Sequence, residues 1–395
     1  MEKLQFLKGL IKDLGSALAD RDVVILLLLG PIVLTLIFGG VYINAYVDNI
    51  PIAILDEDNS SLSRMIVRQF EQNDRFKAVY YAQSREDLNA VIESGKAYMG
   101  LFIPENFSRD VSSLKSSPVL VLVDGTNIVV GNNSFAAASS IIQTISAGVQ
   151  IEVMQAKGLM PQTANSIGTV LKFTDRTLYD PGMKYMNYLL LGFIAVFLQQ
   201  VVLAGVGISV IKASGSIVES GKIPARIISK ILACSIVALS STFIAVYIAT
   251  TVFGVPFRGS LPLLLLLSCL FAFAVSSAAV IISSIVKDKV KYAQLSYMLS
   301  LPTFVSCGYI WPFSQMPKGL ALVVKTLWPL ANFARSFDEI AIKGLGFSAV
   351  KHNITALAIY TAVLMPVGMC LYKLRFGGKE SHQGKKKPVA PEISM

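Results

Sequence analysis

The chain has 395 residues, 53% of them hydrophobic and 15% charged, with a mean hydropathy of +0.60; it is too apolar for an ordinary soluble protein and long enough for a helical membrane bundle plus one further domain. Its net charge of +10 suggests a nucleic-acid partner only until it is divided along the chain: residues 46–185 hold 12 Lys/Arg against 15 Asp/Glu, a balance of −3, and the remainder carries +13. Positive charge concentrated in short segments beside apolar runs reports membrane orientation, which excludes DNA binding as its explanation.

In residues 1–22, Leu7, Leu10, Ile11, Leu14 and Leu18 recur at helical spacing, with Lys3, Lys8, Lys12 and Asp13 on the other face. That pattern predicts an amphipathic interface helix on the cytoplasmic membrane surface, the alternative being a solvated lead-in. Residues 23–46 form the first apolar run, about the length needed to cross a hydrocarbon core of roughly 30 Å and longer than the apolar core of a signal peptide. An uncleaved transmembrane anchor is expected there.

From residue 47 to 185 the periodicity changes. Strands are predicted at 51–55, 76–81, 98–103 and 119–123, with helices at 60–72 and 84–94 opening on Ser caps and a long helix at 129–158. Strands alternating with helices indicate a small α/β domain, expected outside the cytoplasm. Five more apolar runs follow within 186–373, at 188–211, 227–253, 261–286, 292–310 and 354–372, making six spans. Lys212, Lys222, Arg226 and Lys230 share one connecting loop, 212–230, and Lys287, Lys289 and Lys291 another; the tail at 374–395 is Lys-rich. An even number of spans places both loops and both termini in the cytoplasm, leaving only Arg258 in the short outer turn. Residues 311–351, with Trp311 and Trp328, are expected as one or two interfacial helices at the outer surface or as a re-entrant pair. The predicted class is a polytopic α-helical membrane protein with six transmembrane helices, an inserted α/β extracytoplasmic domain and an N-terminal amphipathic interface helix.

Residues suited to covalent chemistry are scarce. No G-x-x-x-x-G-K-[ST] motif occurs, so the chain is expected to bind no nucleotide of its own. The two histidines, His352 and His382, do not make a metal site, and Cys234, Cys269, Cys307 and Cys370 all fall in or beside apolar runs without ligand spacing. Asp56, Glu57 and Asp58 follow a strand in a turn-forming run, a pattern for turn and helix-cap bonding rather than a catalytic pair. The spans nearly lack ionisable residues, which disfavours a proton- or ion-coupled carrier. Small residues at Gly205 and Ser209, Ser235 and Ser240, and Ala272, Ser276 and Ser277 suit close helix packing.

Several stretches resemble the membrane subunit of ABC-2 type ABC transporters with a large extracytoplasmic domain between the first two of six spans. They are Asp56-Glu57-Asp58-Asn59 after Ile52-Ala53-Ile54-Leu55; Leu178-Tyr179-Asp180-Pro181 before Tyr188-Leu189-Leu190-Leu191-Gly192; and Cys307-Gly308-Tyr309-Ile310-Trp311-Pro312, with Met316-Pro317 and Trp328-Pro329-Leu330. The resemblance implies a homo- or heterodimer of such subunits, each bound to a cytoplasmic ABC ATPase that holds the ATP and Mg, with export as the direction and no catalysis by this chain. It also implies a coupling loop, for which Glu219, Gly221 and Pro224 look like a shortened version of the family's Glu-x-x-x-Gly-Thr with a later Pro, and an interface helix in which Leu7, Leu10 and Ile11 brace the ATPase. A bacterial inner-membrane location follows. Uncharged spans suit a hydrophobic or amphipathic cargo, such as a drug or lipid. The alternative function is a membrane-anchored sensor or interaction protein whose outer domain binds a ligand.

Overall fold

The computed structural model describes residues 2–43, 47–113, 115, 117–156, 178–180, 184–213 and 223–376, without the side chains of 2–5, 22 and 150–156. Two compact units result, one from Met1–Ile43 with Thr177–Met395 and one from Asn44–Arg176.

In the first unit, α1 (Glu2–Ala19) leads into α2 (Arg21–Val24), a π-helical turn (Ile25–Leu29) and α3 (Gly30–Val41). The cause of the π turn is local: Pro31 has no N–H to return to Leu27, and the Gly30 N–H reaches back five residues to the Ile25 carbonyl. α2, the π turn and α3 follow one another without a gap from Arg21 to Val41, and residues 44–46 of the predicted span lie outside the described residues.

The second unit is built on β1 (Ile50–Asp56), α4 (Ser61–Glu71), β2 (Phe76–Tyr81), α5 (Arg85–Glu93), β3 (Met99–Ile103), α6 (Phe107–Ser112), β4 (Leu120–Val123) and α7 (Ile128–Ala156). The sheet order is β2-β1-β3-β4, parallel except for β4. Ile50, Ile52, Ile54, Met99, Leu101 and Ile103 face Ile66, Phe70, Phe107 and Ala138, while Ala53, Leu55 and Phe102 face Leu88 and Val91. Helices thus cover both faces of the central strands, which is why β1 and β3 are continuously apolar rather than alternating. The Asp56 carboxylate accepts bonds from the Asp58 and Asn59 backbones and from Ser63 Oγ at 2.7 Å, and the Ser108 backbone donates to Asp58. These acids are turn and cap groups.

The first unit resumes with α8 (Tyr185–Ala213), α9 (Ile223–Thr251), α10 (Leu261–Ile285) and α11 (Lys289–Ser306). A 3-10 turn (Phe313–Gln315), α12 (Lys318–Leu327), α13 (Leu330–Ala341) and α14 (Phe347–Phe376) complete it. Among the described residues, α8, α9, α10 and α14 are long and apolar enough to cross a membrane. α8 is the centre of the bundle, apolar on all sides and packed by α3, α9, α10, α11 and α13. α14 is peripheral, with 17% of its most apolar window buried against 78% for α8. The polar opening of α14, Lys351-His352-Asn353, extends it well before the apolar run that marks it in the sequence.

Candidate functional site

Of the residues expected to contact an ATPase, Leu7 and Ile11 stand exposed on one side of α1, at 51% and 62%, with Leu10 half-buried beside them. Pro224 lies exposed in the first turn of α9, where its missing N–H costs nothing. Glu219 and Gly221 fall within 214–222, outside the described residues.

The opposite side of α1 carries contacts that the amphipathic pattern hides. Asp13 is not on a solvated face: Ser229 Oγ of α9 donates to its Oδ2 at 2.6 Å, and Lys230 Nζ lies 3.3 Å from its Oδ1. Two turns later Asp20 pairs with Lys212, in the last turn of α8. A cavity of about 90 Å³ lies between these pairs, lined by Asp13, Ser16, Asp20, Ser209, Lys212 and Cys234 among others. The available sequence signal is the seven-residue spacing of Asp13 and Asp20, which puts both on the side of the segment away from Leu7 and Ile11.

A second polar seam joins α8 to α11. Gln199 Nε2 donates to Thr303 Oγ1 at 2.7 Å, Gln200 Nε2 to Ser296 Oγ at 3.4 Å, and Ser300 Oγ to Gln200 Oε1. Tyr292 donates to the Leu203 carbonyl at 2.7 Å. At the end of the seam, Tyr188 and Tyr309 stack at 4.9 Å and each donates to the other's main-chain carbonyl. The remaining face of α11 turns outward: Gln294, Tyr297, Met298, Leu301 and Val305 are all exposed.

At the end of the bundle beyond this tyrosine pair, Arg258 donates to the carbonyls of Tyr179 and Ile342 at 2.6 and 2.9 Å, which anchors the one basic residue of the α9–α10 turn. On α13, burial pushes the Asp338 carboxyl up to about 6, with Lys343 and Arg335 opposing the shift and Glu339 and Asp180 adding to it. No group of three or more metal-ligating residues occurs among the described residues.

The assembly of long apolar helices around a buried central helix, joined by polar seams between helices, is that of a polytopic helical membrane protein. More specifically, the chain belongs to the ABC-2 family of transporter proteins, whose family model matches residues 21–369. It is 23% identical over 374 residues to the Escherichia coli K12 protein named "Probable multidrug ABC transporter permease YbhR", covering 92% of this chain and 96% of that one. It is also 23% identical over 383 residues to the "Inner membrane transport permease YhhJ" of the same strain, covering 93% and 96%. A partial match, 24% over 195 residues, reaches 27% of "ABC transporter G family member 20" of Dictyostelium discoideum and 48% of this chain.

Proposed function

We propose that the chain is the permease subunit of an ATP-driven exporter and forms its translocation path at an interface with a second permease copy or a homologue. The first helical run, α8, α9, α10, α11 and α14 supply six spans. The α/β unit lies outside and both termini inside an inner membrane. A separate cytoplasmic ABC ATPase binds ATP and Mg, and this chain performs no covalent step.

The outward face of α11 carries this reading. Gln294 and Tyr297 stand one to two turns past Lys291, near the inner membrane surface in this topology, and turn polar groups away from the bundle at the start of an exposed face that Met298, Leu301 and Val305 continue; such a face suits contact with a second permease copy. The neighbouring Met298 and Leu301 supply apolar surface beside them, which favours an amphipathic or hydrophobic cargo; the multidrug designation of YbhR points the same way. The exposed Leu7 and Ile11 suit the ATPase contact, together with Leu10, Glu219, Gly221 and Pro224.

The test is to co-express the chain with candidate ABC ATPases, purify through a tag on the permease and measure ATP hydrolysis in nanodiscs. A stoichiometric ATPase is expected to co-purify, and Glu219→Ala with Gly221→Pro to weaken its binding or turnover. If no ATPase is retained by a folded permease, the exporter reading fails and the ligand-binding sensor takes its place.

A further inference from the structure

The segment 212–230, expected as one loop, is helical at both ends: Lys212 lies in the last turn of α8 and Lys230 in the second turn of α9, and each meets a carboxylate of the N-terminal segment. Asp13 lies on α1 and Asp20 directly follows its last residue, with the Asp20 N–H still bonded to the Ser16 carbonyl at 3.0 Å, so the two acids are seven residues, about two helical turns or 10 Å, apart on one side of the segment. Ser16 and Ala17 sit between them on that face, and Ala17 is buried. The two acids contact different spans: Lys212 ends α8, the central helix, while Ser229 and Lys230 lie in the second turn of α9.

We propose that Asp13 with Ser229 and Lys230, and Asp20 with Lys212, form a two-point clamp that makes α1 and the inner ends of α8 and α9 a single moving body. One contact would act as a hinge, about which α1 could swivel. Two contacts 10 Å apart on different helices remove that freedom. The Lys230 and Asp13 side chains are 18% and 21% exposed and Ser229 only 3%, so the attraction is less screened than in a surface pair, and removing either partner strands a half-buried charge. Asp20 also receives the Val23 backbone N–H at 3.4 Å, which ties the same clamp to the start of the first helical run.

This inference rests on the permease reading and extends it. A push from an ATPase on the exposed Leu7 and Ile11 side of α1 would reach α8 and α9 through these four charged residues, whichever surface the ATPase contacts first. Asp13, Asp20, Ser229, Lys212 and Lys230 are positioning residues: they transmit movement and touch neither ATP nor cargo.

The experiment places spin labels at Lys8→Cys on α1 and Ile236→Cys in the inner half of α9, both exposed, after replacement of the four native cysteines. Distances are measured in nanodiscs, with the retained ATPase either nucleotide-free or trapped with vanadate. In the otherwise wild-type complex the distance is expected to change by less than about 2 Å, the size of an ordinary helix shift. Asp13→Lys or Lys230→Asp should broaden the distribution or let it move on trapping, and the exchanged pair Asp13→Lys/Lys230→Asp should restore a single unmoving distance. The Asp20 and Lys212 exchange provides a second cycle if a reversal at Asp13 prevents folding. The clamp is overturned if the distance in the unreversed protein moves beyond that limit, if the reversals change nothing, or if the exchange does not rescue. Failure of the permease reading is distinguished earlier, by the absence of an ATPase from the purified complex.

Discussion

A carboxyl packed beneath the loops of the bundle has a different stability balance from one in water. Asp338 titrates near 6 when folded and near its ordinary 3.8 when unfolded, so the unfolded chain ionises first as pH rises. The folded state is therefore penalised progressively between about pH 4 and 6 and fully above that window. Asp338→Asn should raise the melting temperature at pH 8, by the equivalent of roughly 1–3 kcal/mol, and match the parent near pH 4. A constant difference across that range would refute the assignment. Single residues were unevenly legible in the sequence. Gly205 has the spacing of a small residue for helix packing, and an added Cβ there would stand 2.5 Å from Leu27 Cδ2. Gly207 carried no such signal, yet the ring of Tyr292 fills the space above it, within 1.9 Å of where a Cβ would be. Whether a glycine faces a ring depends on which helix comes beside it, and the order of residues along one helix contains no record of its neighbour.

Elements were legible where local chemistry determines them. Ser60 was recognisable as a helix cap, and it accepts the Ser63 N–H at 3.0 Å while Ser63 Oγ accepts the Ser60 N–H at 2.9 Å. The reciprocating group is a serine where Glu or Gln is the usual partner, so only half of this box can be read from the pattern. Ser60→Ala should cost the α/β unit about 1 kcal/mol, detectable as a lower denaturant midpoint with unchanged slope; a shift within error would mean that the bond is solvent-replaced. The end of α11 is a harder case. Apolar character continues past Ser306, but Gly308 adopts a φ of +83° and the Phe313 ring packs onto it, so the chain turns four residues before the predicted end of the run. The π turn left no trace in the hydropathy, since Ile25 to Leu29 are equally apolar in any helix.

For the whole molecule, the orientation expected from the basic short segments is open to a direct test, and the structure gives two of those lysines a second role: Lys212 and Lys230 are ion-paired to Asp20 and Asp13. Single-cysteine labelling in intact cells should reach position 77 or 96 of the α/β unit with an impermeant maleimide, and reach position 373 only after permeabilisation. Labelling of position 373 in intact cells would invert the topology. The turn of wide helix at Ile25–Leu29 gives the chain one more residue than an unbroken α-helix would use between α2 and α3, and Ser241 Oγ of α9 fastens it by donating to the Leu28 carbonyl at 2.7 Å. That surplus residue sets the phase between what lies before it and what lies after. Because 26–29 is a run of four leucines, losing one would leave the apolar chemistry of the segment intact and change its geometry, by about 100° of rotation and about 1.5 Å of rise. The clamp face of α1 and the buried stripe of α3, with Thr35 and Gly39, would then no longer be satisfied together. Length, counted to a single leucine, is thus a specificity element of this span in its own right.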